Sequence, residues 1–568
     1  MPRAGAATFA DLTAAATSAV LNGRPAGPAD GGRLGLPGLA AENVLVVEAE
    51  VAAGALGRFT DPADDAGYLL FMAYPTEGAA VIRQLAALIG GDALRAGLAD
   101  FMRRFGGGVA NLDDLVACWS RSSGRELAGW AQEWLRTEGA STLRASVVTG
   151  PDGRLASLTV EQDQPGTHRL CIGLYDRAGS GLRRRQVISA EVSGARCEVP
   201  VAGGEPGPGV ELGPGGDAGP GGEPAPDAVV LNDGDLTYAE VAFDGPTLDA
   251  LAGAAMDVGD PRTEAMCWNQ TWRMVTAGSL AGADFAGLVI RRLGRAAALP
   301  QAGIEVLLER AVTAADRYTA GTERTGVRVA VAAACLGGVS AAAAGSPRQR
   351  ALAVGFAASA QSDEQLAVLR AWLAGGARPE GLAVDGDLRG YLLRTLAAQG
   401  LASEGDLEAL VAADPVGGER NAATCRALRP DAAAKSAAWE LALAGGQDWR
   451  MALASAHGIW VPGQEALLAG YRERYFTEAL AALDGREVQV MRQLARALYP
   501  ATLAEDTTLA ATAAAAERDG LSQGLRLVLL EQEAILRSAL AARSVPRRGW
   551  LSPGYSSRVP RSAGTSTE

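Results

Sequence analysis

The sequence VIRQLAALIGGDALRAGLADFMRRF, residues 81–105, decides the fold prediction because its apolar residues recur with the period of a helix. Val81, Leu85 and Ile89 lie on one stripe at i, i+4 and i+8, which predicts an amphipathic helix. Two glycines then stop the pattern, and it resumes through residue 105. The sequence NLDDLVACWSRSSGRELAGWAQEWLRTEGASTL, residues 111–143, has the same period. Together the two stretches predict four short helices that end near residue 142.

The apolar period changes from that of a helix to that of a strand after residue 143. Ala156, Leu158 and Val160 alternate with polar residues, and Leu170, Ile172 and Leu174 repeat the pattern. Short alternating strands separated by turn residues predict a β-sandwich over residues 143–247. A segment that is mostly Gly and Pro, with no aromatic residue, interrupts it at residues 203–226. Such a composition cannot bury a core, so we expect a disordered loop there.

The other strong segments predict helices. Between residues 248 and 543 apolar stripes of helical period recur with short breaks, which predicts an array of antiparallel helix pairs. Residues 1–60 are predicted to be weakly structured, with a helix expected over 6–20 and a strand over 44–51. The Ser-, Pro- and Arg-rich tail, 544–568, is predicted to be disordered. The expected fold class is mainly α with a small β-sandwich.

Composition excludes several classes of function. The formal net charge is −13, which argues against a nucleic-acid binder because such proteins need a basic face. There is no apolar run long enough to span a membrane, and the N-terminus lacks the pattern of a signal peptide, so we expect a cytoplasmic protein. The six cysteines are scattered, which predicts reduced thiols, although Cys171 and Cys197 could face each other in a sheet. The oligomeric state has no signature in the sequence.

Residues for common catalytic centres are scarce. The chain has two histidines, His168 and His457, in segments with different predicted secondary structure, so no pair of zinc ligands one helical turn apart can form. We predict structural roles for both. There is no G-x-S-x-G motif for a nucleophilic serine. The only lysine is Lys435, and no Gly-Lys pair exists for a phosphate-binding loop. The sequence predicts no metal ligands and no resident cofactor.

Several segments resemble the aminopeptidase N family of zinc metallopeptidases. VIRQLAALIGGDALRAGLADF resembles the helix pair after the family's Y-x-K-G motif, and SGRELAGWAQEWLRTEGASTL resembles the end of its thermolysin-like catalytic domain. VVLNDGDLTYAEVAFD resembles the last strands of its β-sandwich. WNQTWRMVTAGSL, GERNAATCRALRPDAAAKSAAWE and GIWVPGQEALLAGYRERYF resemble the helical C-terminal domain of actinobacterial members, which the endoplasmic-reticulum aminopeptidases share. The resemblance implies that residues 61–142 are the helical end of the catalytic domain.

The resemblance implies zinc-dependent removal of N-terminal residues from peptides, but few functional residues carry over. In the family two His and a Glu bind zinc, a second Glu is the general base and a Tyr stabilises the oxyanion. This chain has no H-E-x-x-H and no G-x-M-E-N motif. Tyr74 is the one candidate catalytic residue; its motif, YPTEG at residues 74–78, is one residue longer than the family's, and Glu77 replaces the Lys. Arg389, in VDGDLRGYLL, falls where relatives carry D-L-R-W, and Gly390 replaces the Trp.

Two hypotheses follow from the resemblance. In the first, the chain is a truncated or degenerate homologue that binds peptides, contains no zinc and has no peptidase activity alone. In the second, it is the C-terminal part of an active zinc aminopeptidase whose catalytic segment is encoded upstream or supplied in trans. Under either hypothesis, Arg389 is the candidate for contact with a peptide carboxylate, and the alternative for this residue is a surface salt bridge. Peptides are the expected partners in both cases.

Overall fold

A computed structural model describes five N-terminal strands and most of residues 77–551. Between 77 and 551 the described residues exclude 107–109, 137–139, 165, 200–223, 296–298, 415–416 and 445–447, and side chains are described from residue 81. The chain divides into two compact units. The N-terminal unit takes its residues from 1–174, 185–241 and 260–266, and the C-terminal unit takes those of 175–184, 242–259 and 267–568. Tyr74 lies outside the described residues.

Short antiparallel strands occupy parts of the segment before residue 51. β1 (Thr8–Asp11) pairs with β4 (Arg33–Leu36), and β2 (Ala15–Leu21) lies between β3 (Arg24–Pro25) and β5 (Leu45–Glu50). The helix predicted over residues 6–20 is therefore wrong. Strand pairing over a long sequence separation outweighs the weak helical pattern there, which rests on few apolar residues. The strand predicted over 44–51 is confirmed as β5.

The four helices predicted from the opening stretch are confirmed. They are α1 (Glu77–Ile89), α2 (Gly91–Phe105), α3 (Leu112–Ser123) and α4 (Ala128–Leu135). Asn111 starts α3 with a capping box, because its side chain accepts from the Asp114 N–H and the Asp114 carboxylate accepts from the Asn111 N–H. Gly97 lets α2 approach α3, since an added Cβ would lie 2.4 Å from Cδ1 of Trp119. Trp119 and Leu85 belong to the small core of these helices.

The β part consists of two sheets. The strands are β6 (Thr142–Thr149), β7 (Leu155–Gln162), β8 (His168–Ala178), β9 (Gly181–Val192), β10 (Arg196–Val199), β11 (Ala228–Leu231) and β12 (Glu240–Ala242). One sheet has the order β10-β7-β6-β12 and the other β11-β8-β9. The change to strands near residue 143 is thus confirmed. The predicted disordered loop falls mostly on residues 200–223, outside the described residues.

Helices make up most of the C-terminal unit. They are α5 (Gly245–Gly253), α6 (Pro261–Thr276), which begins in the N-terminal unit, α7 (Gly282–Leu293), α8 (Gln301–Arg317), α9 (Gly321–Ala341), α10 (Pro347–Ser359), α11 (Asp363–Leu373), α12 (Gly386–Ala398), α13 (Glu404–Ala413), α14 (Gly418–Leu428), α15 (Ala432–Leu443), α16 (Trp449–His457), α17 (Glu465–Arg474), α18 (Leu480–Leu483), α19 (Val488–Leu498), α20 (Asp506–Ala516) and α21 (Gln523–Ser544). Neighbours in sequence pack on each other. The mainly α fold class with a small β part is confirmed. No described helix is both long and apolar enough to cross a membrane.

The chain stays packed beyond the predicted start of the tail. The buried carboxylate of Asp284 accepts from the backbone N–H groups of Arg548, Gly549 and Trp550, at 2.6, 3.0 and 3.2 Å. The Trp550 side chain is buried as well. The boundary predicted at residue 543 is therefore too early, because a carboxylate far away in the sequence fixes residues 548–550. Residues 552–568 lie outside the described part of the chain.

His168 is a buried residue at the start of β8, in keeping with its predicted structural role. Nδ1 lies 2.9 Å from Oγ1 of Thr237, and Nε2 lies 3.1 Å from Oγ of Ser141. Ser141 donates its hydroxyl proton to the Gln164 carbonyl, so it accepts from Nε2–H and Thr237 donates to Nδ1. Burial lowers the pKa of His168 to about 4. The ring is therefore neutral at pH 7, and it joins β8 to the residue before β6 and to the segment before β12. It also packs edge-on against the Trp134 ring of α4, with the ring centroids 5.1 Å apart.

The buried neutral histidine predicts a loss of stability in acid. An unfolded chain binds a proton at His168 near pH 6.5 and the folded chain binds it near pH 4, so stability is lost as the pH falls through this interval. The expected loss in free energy of unfolding is about 3 kcal/mol. Urea unfolding from pH 7 to pH 4 should show this slope, and His168→Gln should reduce it. Histidine proton NMR of the His457→Gln variant reports the pKa of His168 alone, and a value near 6.5 would contradict the assignment.

Candidate functional site

Arg389, the predicted substrate-binding residue, lies on the first turn of α12. Its side chain is half-buried and makes no hydrogen bond or ion pair with another described residue. The alternative expectation of a surface salt bridge at this position is therefore not met within the described residues. Arg389 also lies outside the pocket described next. Its contact with a peptide carboxylate stays a prediction.

A pocket of about 380 Å³ lies beside Arg394, five positions further along α12. Its walls come from α12, α14, α16 and Gly417, the residue before α14. The pocket contains three arginines, three other side chains with N–H groups, one threonine and an apolar wall, and none of the described residues that line it is Asp or Glu. The lining residues are Arg394, Gly417, Arg420, Asn421, Thr424, Trp449, Arg450, Leu453, Ala454 and His457.

A hydrogen bond on the pocket wall fixes the orientation of an amide. Nη2 of Arg394 donates to Oδ1 of Asn421 at 2.6 Å. This hydrogen bond occupies the amide oxygen of Asn421 and identifies the other amide atom, Nδ2, as the hydrogen-bond donor. Small residues surround this amide, since a Cβ added at Gly390 or at Gly417 would lie 3.7 Å from Nδ2. Gly390 thus leaves space beside a pocket residue.

Two helix N-termini border the pocket. α14 begins after Gly417, which provides no side-chain cap, and its first turn carries Arg420 and Asn421. α16 begins after Asp448, whose carboxylate accepts from the Arg450 N–H at 3.0 Å, and its first two residues are Trp449 and Arg450. The Arg450 guanidinium lies over the Trp449 ring, 4.8 Å from its centroid. Helix N-termini carry partial positive charge, so they add to the positive field of the arginines.

His457 ends α16 at the edge of the pocket, at the helix end where the sequence places it. Part of its ring is exposed and the rest is covered by protein. This burial, together with the positive charge of Arg394, lowers the pKa of His457. The ring is therefore neutral at pH 7, and the positive charge of the pocket comes from its arginines.

Lys435, the only lysine, is completely buried and joins the ends of two pocket helices. Its Nζ donates to the carbonyl oxygens of Ala427, Gly458 and Ile459 at 2.7, 3.0 and 2.9 Å. These carbonyls lie at the C-terminal ends of α14 and α16, where backbone acceptors lack helical partners. Burial lowers the pKa of Lys435 to about 7. The three carbonyls oppose that effect, because they accept from the protonated form.

The helices that Lys435 joins are also in direct contact. Thr424 on α14 donates its hydroxyl proton to the Ala454 carbonyl on α16 at 2.9 Å. A Cβ added at Gly458 would lie 2.5 Å from Cβ of Ala427 and 2.6 Å from the Thr424 carbonyl oxygen. Only glycine permits this approach without a rearrangement. Sequence reasoning missed the pocket because its residues come from three helices; the one signal was GERNAATCRALRPDAAAKSAAWE, which contains Arg420, Asn421 and Lys435.

Among the described residues, no three His, Cys, Asp or Glu side chains lie close enough together to hold a metal ion. The six cysteines are all free thiols. Cys171 and Cys197 therefore do not pair with each other.

Comparison with known proteins identifies the family. The model of the ERAP1-like C-terminal domain family matches residues 228–537, more than half of the chain. The chain is also 33% identical over 484 residues to aminopeptidase N of Streptomyces lividans, with 82% of this chain covered. The chain belongs to the aminopeptidase N family. It spans about half the length of this relative, 54%, so it corresponds to part of a longer family member.

The fold of this chain is also similar to that of a solved structure. The aminopeptidase A of Legionella pneumophila, determined in complex with aspartic acid, matches with a TM-score of 0.51 at 11% identity. The match covers 80% of this chain and 56% of the Legionella chain. At that identity the match supports the fold of this aminopeptidase N homologue and carries no information on its ligands.

Replacing Lys435 should destabilise the helices that carry the pocket. Lys435→Met removes three donors from buried carbonyls while keeping an unbranched apolar side chain, so we expect a loss of about 3 to 5 kcal/mol in free energy of unfolding. Urea unfolding followed by far-ultraviolet circular dichroism measures the change. Ala433→Met, which places the same side chain at an exposed position of α15, is the control and should change stability by less than about 0.5 kcal/mol. A Lys435→Met variant as stable as this control would refute the role of the ammonium group.

Proposed function

We propose that this chain is a degenerate aminopeptidase N homologue that binds peptides and does not hydrolyse them on its own. The observation that carries the proposal is the number and placement of the histidines. The family's zinc site needs two His one helical turn apart. This chain has His168 on β8 in the N-terminal unit and His457 at the end of α16 in the C-terminal unit. His168 is in addition bonded through both ring nitrogens to hydroxyl groups.

The part of the family that the chain matches supports the same proposal. The matched model is a C-terminal domain, and the chain corresponds to 54% of the Streptomyces relative. In the resemblance drawn from sequence, zinc ligands, general base and G-x-M-E-N loop all precede the Y-x-K-G motif. The helical domain that remains is the one that lines the peptide cavity in such enzymes. Peptides are therefore the proposed partners, and the chain itself is proposed to hold no zinc.

The cytoplasm is the compartment that fits this proposal. The six cysteines are free thiols, and five of them are buried. Thiols persist where the surroundings are reducing, whereas oxidising compartments favour disulfides. The acidic net charge of −13 is consistent with a protein that has no nucleic-acid partner.

One observation favours a second candidate, in which the chain is the C-terminal part of an active zinc aminopeptidase. Ile82 on α1 and Leu98 and Met102 on α2 expose 38%, 48% and 52% of their surface. Leu98 and Met102 are four residues apart, so they lie on one face of α2. Two exposed apolar residues on one helix face, as at Leu98 and Met102, are typical of a surface that another polypeptide covers. The segment that carries the zinc site, encoded upstream or supplied in trans, is the partner that this candidate assigns.

The proposal predicts that the purified chain lacks peptidase activity. We expect no hydrolysis of leucine or alanine p-nitroanilide above the buffer rate, and zinc below about 0.1 equivalent by elemental analysis, because the ligand set is missing. The Streptomyces lividans aminopeptidase N, assayed in parallel, is the positive control. Binding of fluorescein-labelled peptides of about ten residues, measured by anisotropy, tests the peptide partner. Stoichiometric zinc with chelator-sensitive turnover would overturn the proposal.

The same assay separates the two candidates when the N-terminal part of the Streptomyces enzyme, which this chain does not cover, is added. Turnover that appears on mixing, and that Leu98→Asp abolishes, supports the second candidate. No turnover at any ratio supports the first. Val148→Asp, at an exposed apolar position on β6, is the matched control for the loss of an exposed apolar side chain.

A further inference from the structure

We propose that the pocket between α12, α14 and α16 binds the anionic group, a carboxylate or a phosphate, of a small organic molecule with an apolar body. This inference goes beyond the proposed function. It requires neither zinc nor the exposed face of α1 and α2, and it rests on the chemistry of the pocket walls.

The pocket offers donors, and none of the described residues that line it is an ionised acceptor. Arg394, Arg420 and Arg450 contribute three positive charges, and no Asp or Glu lines the cavity. Of the acidic residues next to it in sequence, Asp414 accepts from the Gly417 N–H and Asp448 accepts from the Arg450 N–H. A neutral or cationic ligand would leave the charges of Arg394 and Arg450 without a carboxylate partner among the described residues. An anion balances them with charge-assisted hydrogen bonds.

Two of the arginines, Arg394 and Arg450, lack a carboxylate partner among the described residues. Within the described residues, neither Arg394 nor Arg450 forms an ion pair. Arg394 donates to the amide oxygen of Asn421, and its Nε is buried without a hydrogen-bond partner. Arg450 contacts only the face of the Trp449 ring. Arg394 is half-buried and Arg450 is exposed. An anion bound between them would pair with both guanidinium groups.

The amide of Asn421 contributes a neutral hydrogen-bond donor to the pocket. Its oxygen is bound by Arg394, so Nδ2 is a neutral donor in the same wall as the guanidinium groups. The first turn of α14 lies beside it and begins after Gly417, which provides no side-chain cap. Guanidinium, amide and helix N-terminus together are the groups that hold carboxylate or phosphate oxygens in proteins.

The volume of the cavity and its apolar side indicate what the rest of the ligand is like. The cavity, at about 380 Å³, is much larger than one carboxylate or phosphate group, which occupies on the order of 50 to 80 Å³. Trp449, Leu453 and Ala454 give it an apolar side. A ligand that fills the pocket therefore carries an apolar or planar part next to its charged group. Mostly apolar walls with a few convergent polar groups are typical of small-molecule sites.

Isothermal titration of the purified full chain with matched probes tests the proposal. Phenyl phosphate and 3-phenylpropionate share a ring and differ in the anionic group, 3-phenylpropanamide is the neutral counterpart, and inorganic phosphate lacks the ring. We expect at least one ring-bearing anion to bind with a Kd below about 1 mM and the neutral amide to bind at least about tenfold more weakly. The tighter of the two anions identifies the charged group. Inorganic phosphate should bind more weakly than phenyl phosphate because it leaves the apolar wall uncovered.

Three variants locate the binding. Asn421→Asp keeps an acceptor for Arg394 but turns the donor into a negative charge, and Arg450→Gln removes an exposed positive charge. Each should weaken anion binding by about tenfold or more. Arg389→Gln, on α12 but outside the pocket, should change it less than about twofold. Circular dichroism spectra and urea midpoints identical to those of the wild type show that each variant is folded.

Three results would overturn the proposal. They are the absence of binding by both ring-bearing anions at about 10 mM, equal binding of the neutral amide, and an Arg389→Gln effect as large as that of Arg450→Gln. None of these depends on whether the chain hydrolyses peptides, so a failure here is distinguishable from a failure of the proposed function.

Discussion

The ammonium group of Lys435 holds together the C-terminal ends of α14 and α16, the two helices that form most of the pocket. Backbone carbonyls at helix ends need partners when they are buried, and one ammonium group satisfies three of them. Because the C-terminal ends of α14 and α16 meet at Lys435 and Thr424 within α14 bonds to Ala454 within α16, the two helices run in the same direction. Their N-terminal turns therefore reach the same pocket, and the arginines they carry converge there. The close approach at Gly458 and the bond from Thr424 depend on the same alignment.

Patterns confined to one segment could be predicted from the sequence, and those that join distant segments could not. The apolar stripe through Val81, Leu85 and Ile89 identified α1, and the alternation after residue 143 identified β6 and β7. β1 and β2 were missed because their pairing with β4 and β5 is what makes them strands. The packed segment at Trp550 was missed for a similar reason, since Asp284 lies far from it in the sequence.

The candidate site could not be predicted from the sequence either, because it joins residues from separate helices. Arg389 was singled out by its position in a family-like motif, yet the cavity lies beside Arg394 on the same helix. The two arginines differ in their contacts. Arg394 donates a hydrogen bond to Asn421 of α14, whereas Arg389 has no hydrogen-bond or ion-pair partner among the described residues. An arginine on a helix is ordinary in sequence, and only the tertiary packing shows which one faces a cavity. Lys435, the only lysine in the sequence, serves the structure by donating to three backbone carbonyls.

Family membership and present chemistry are separate questions for this chain. The family is established by the matched C-terminal domain, whereas the count of two histidines concerns only what these 568 residues can do. Tyr74 lies outside the described residues, and its role stays a prediction. The anion pocket belongs to the helical half and needs no metal, so it can operate whichever candidate function is correct.

The central claim is that α14 and α16 are held so that their N-terminal turns form an anion site with α12. A crystal of the chain soaked with phenyl phosphate tests this most directly. The account predicts phosphate oxygens about 2.7 to 3.2 Å from Asn421 Nδ2 and from a guanidinium nitrogen of Arg394 or Arg450, with the ring against Trp449 or Leu453. A phosphate bound only at Arg389 or elsewhere on the surface, with the pocket empty at a saturating concentration, would contradict it.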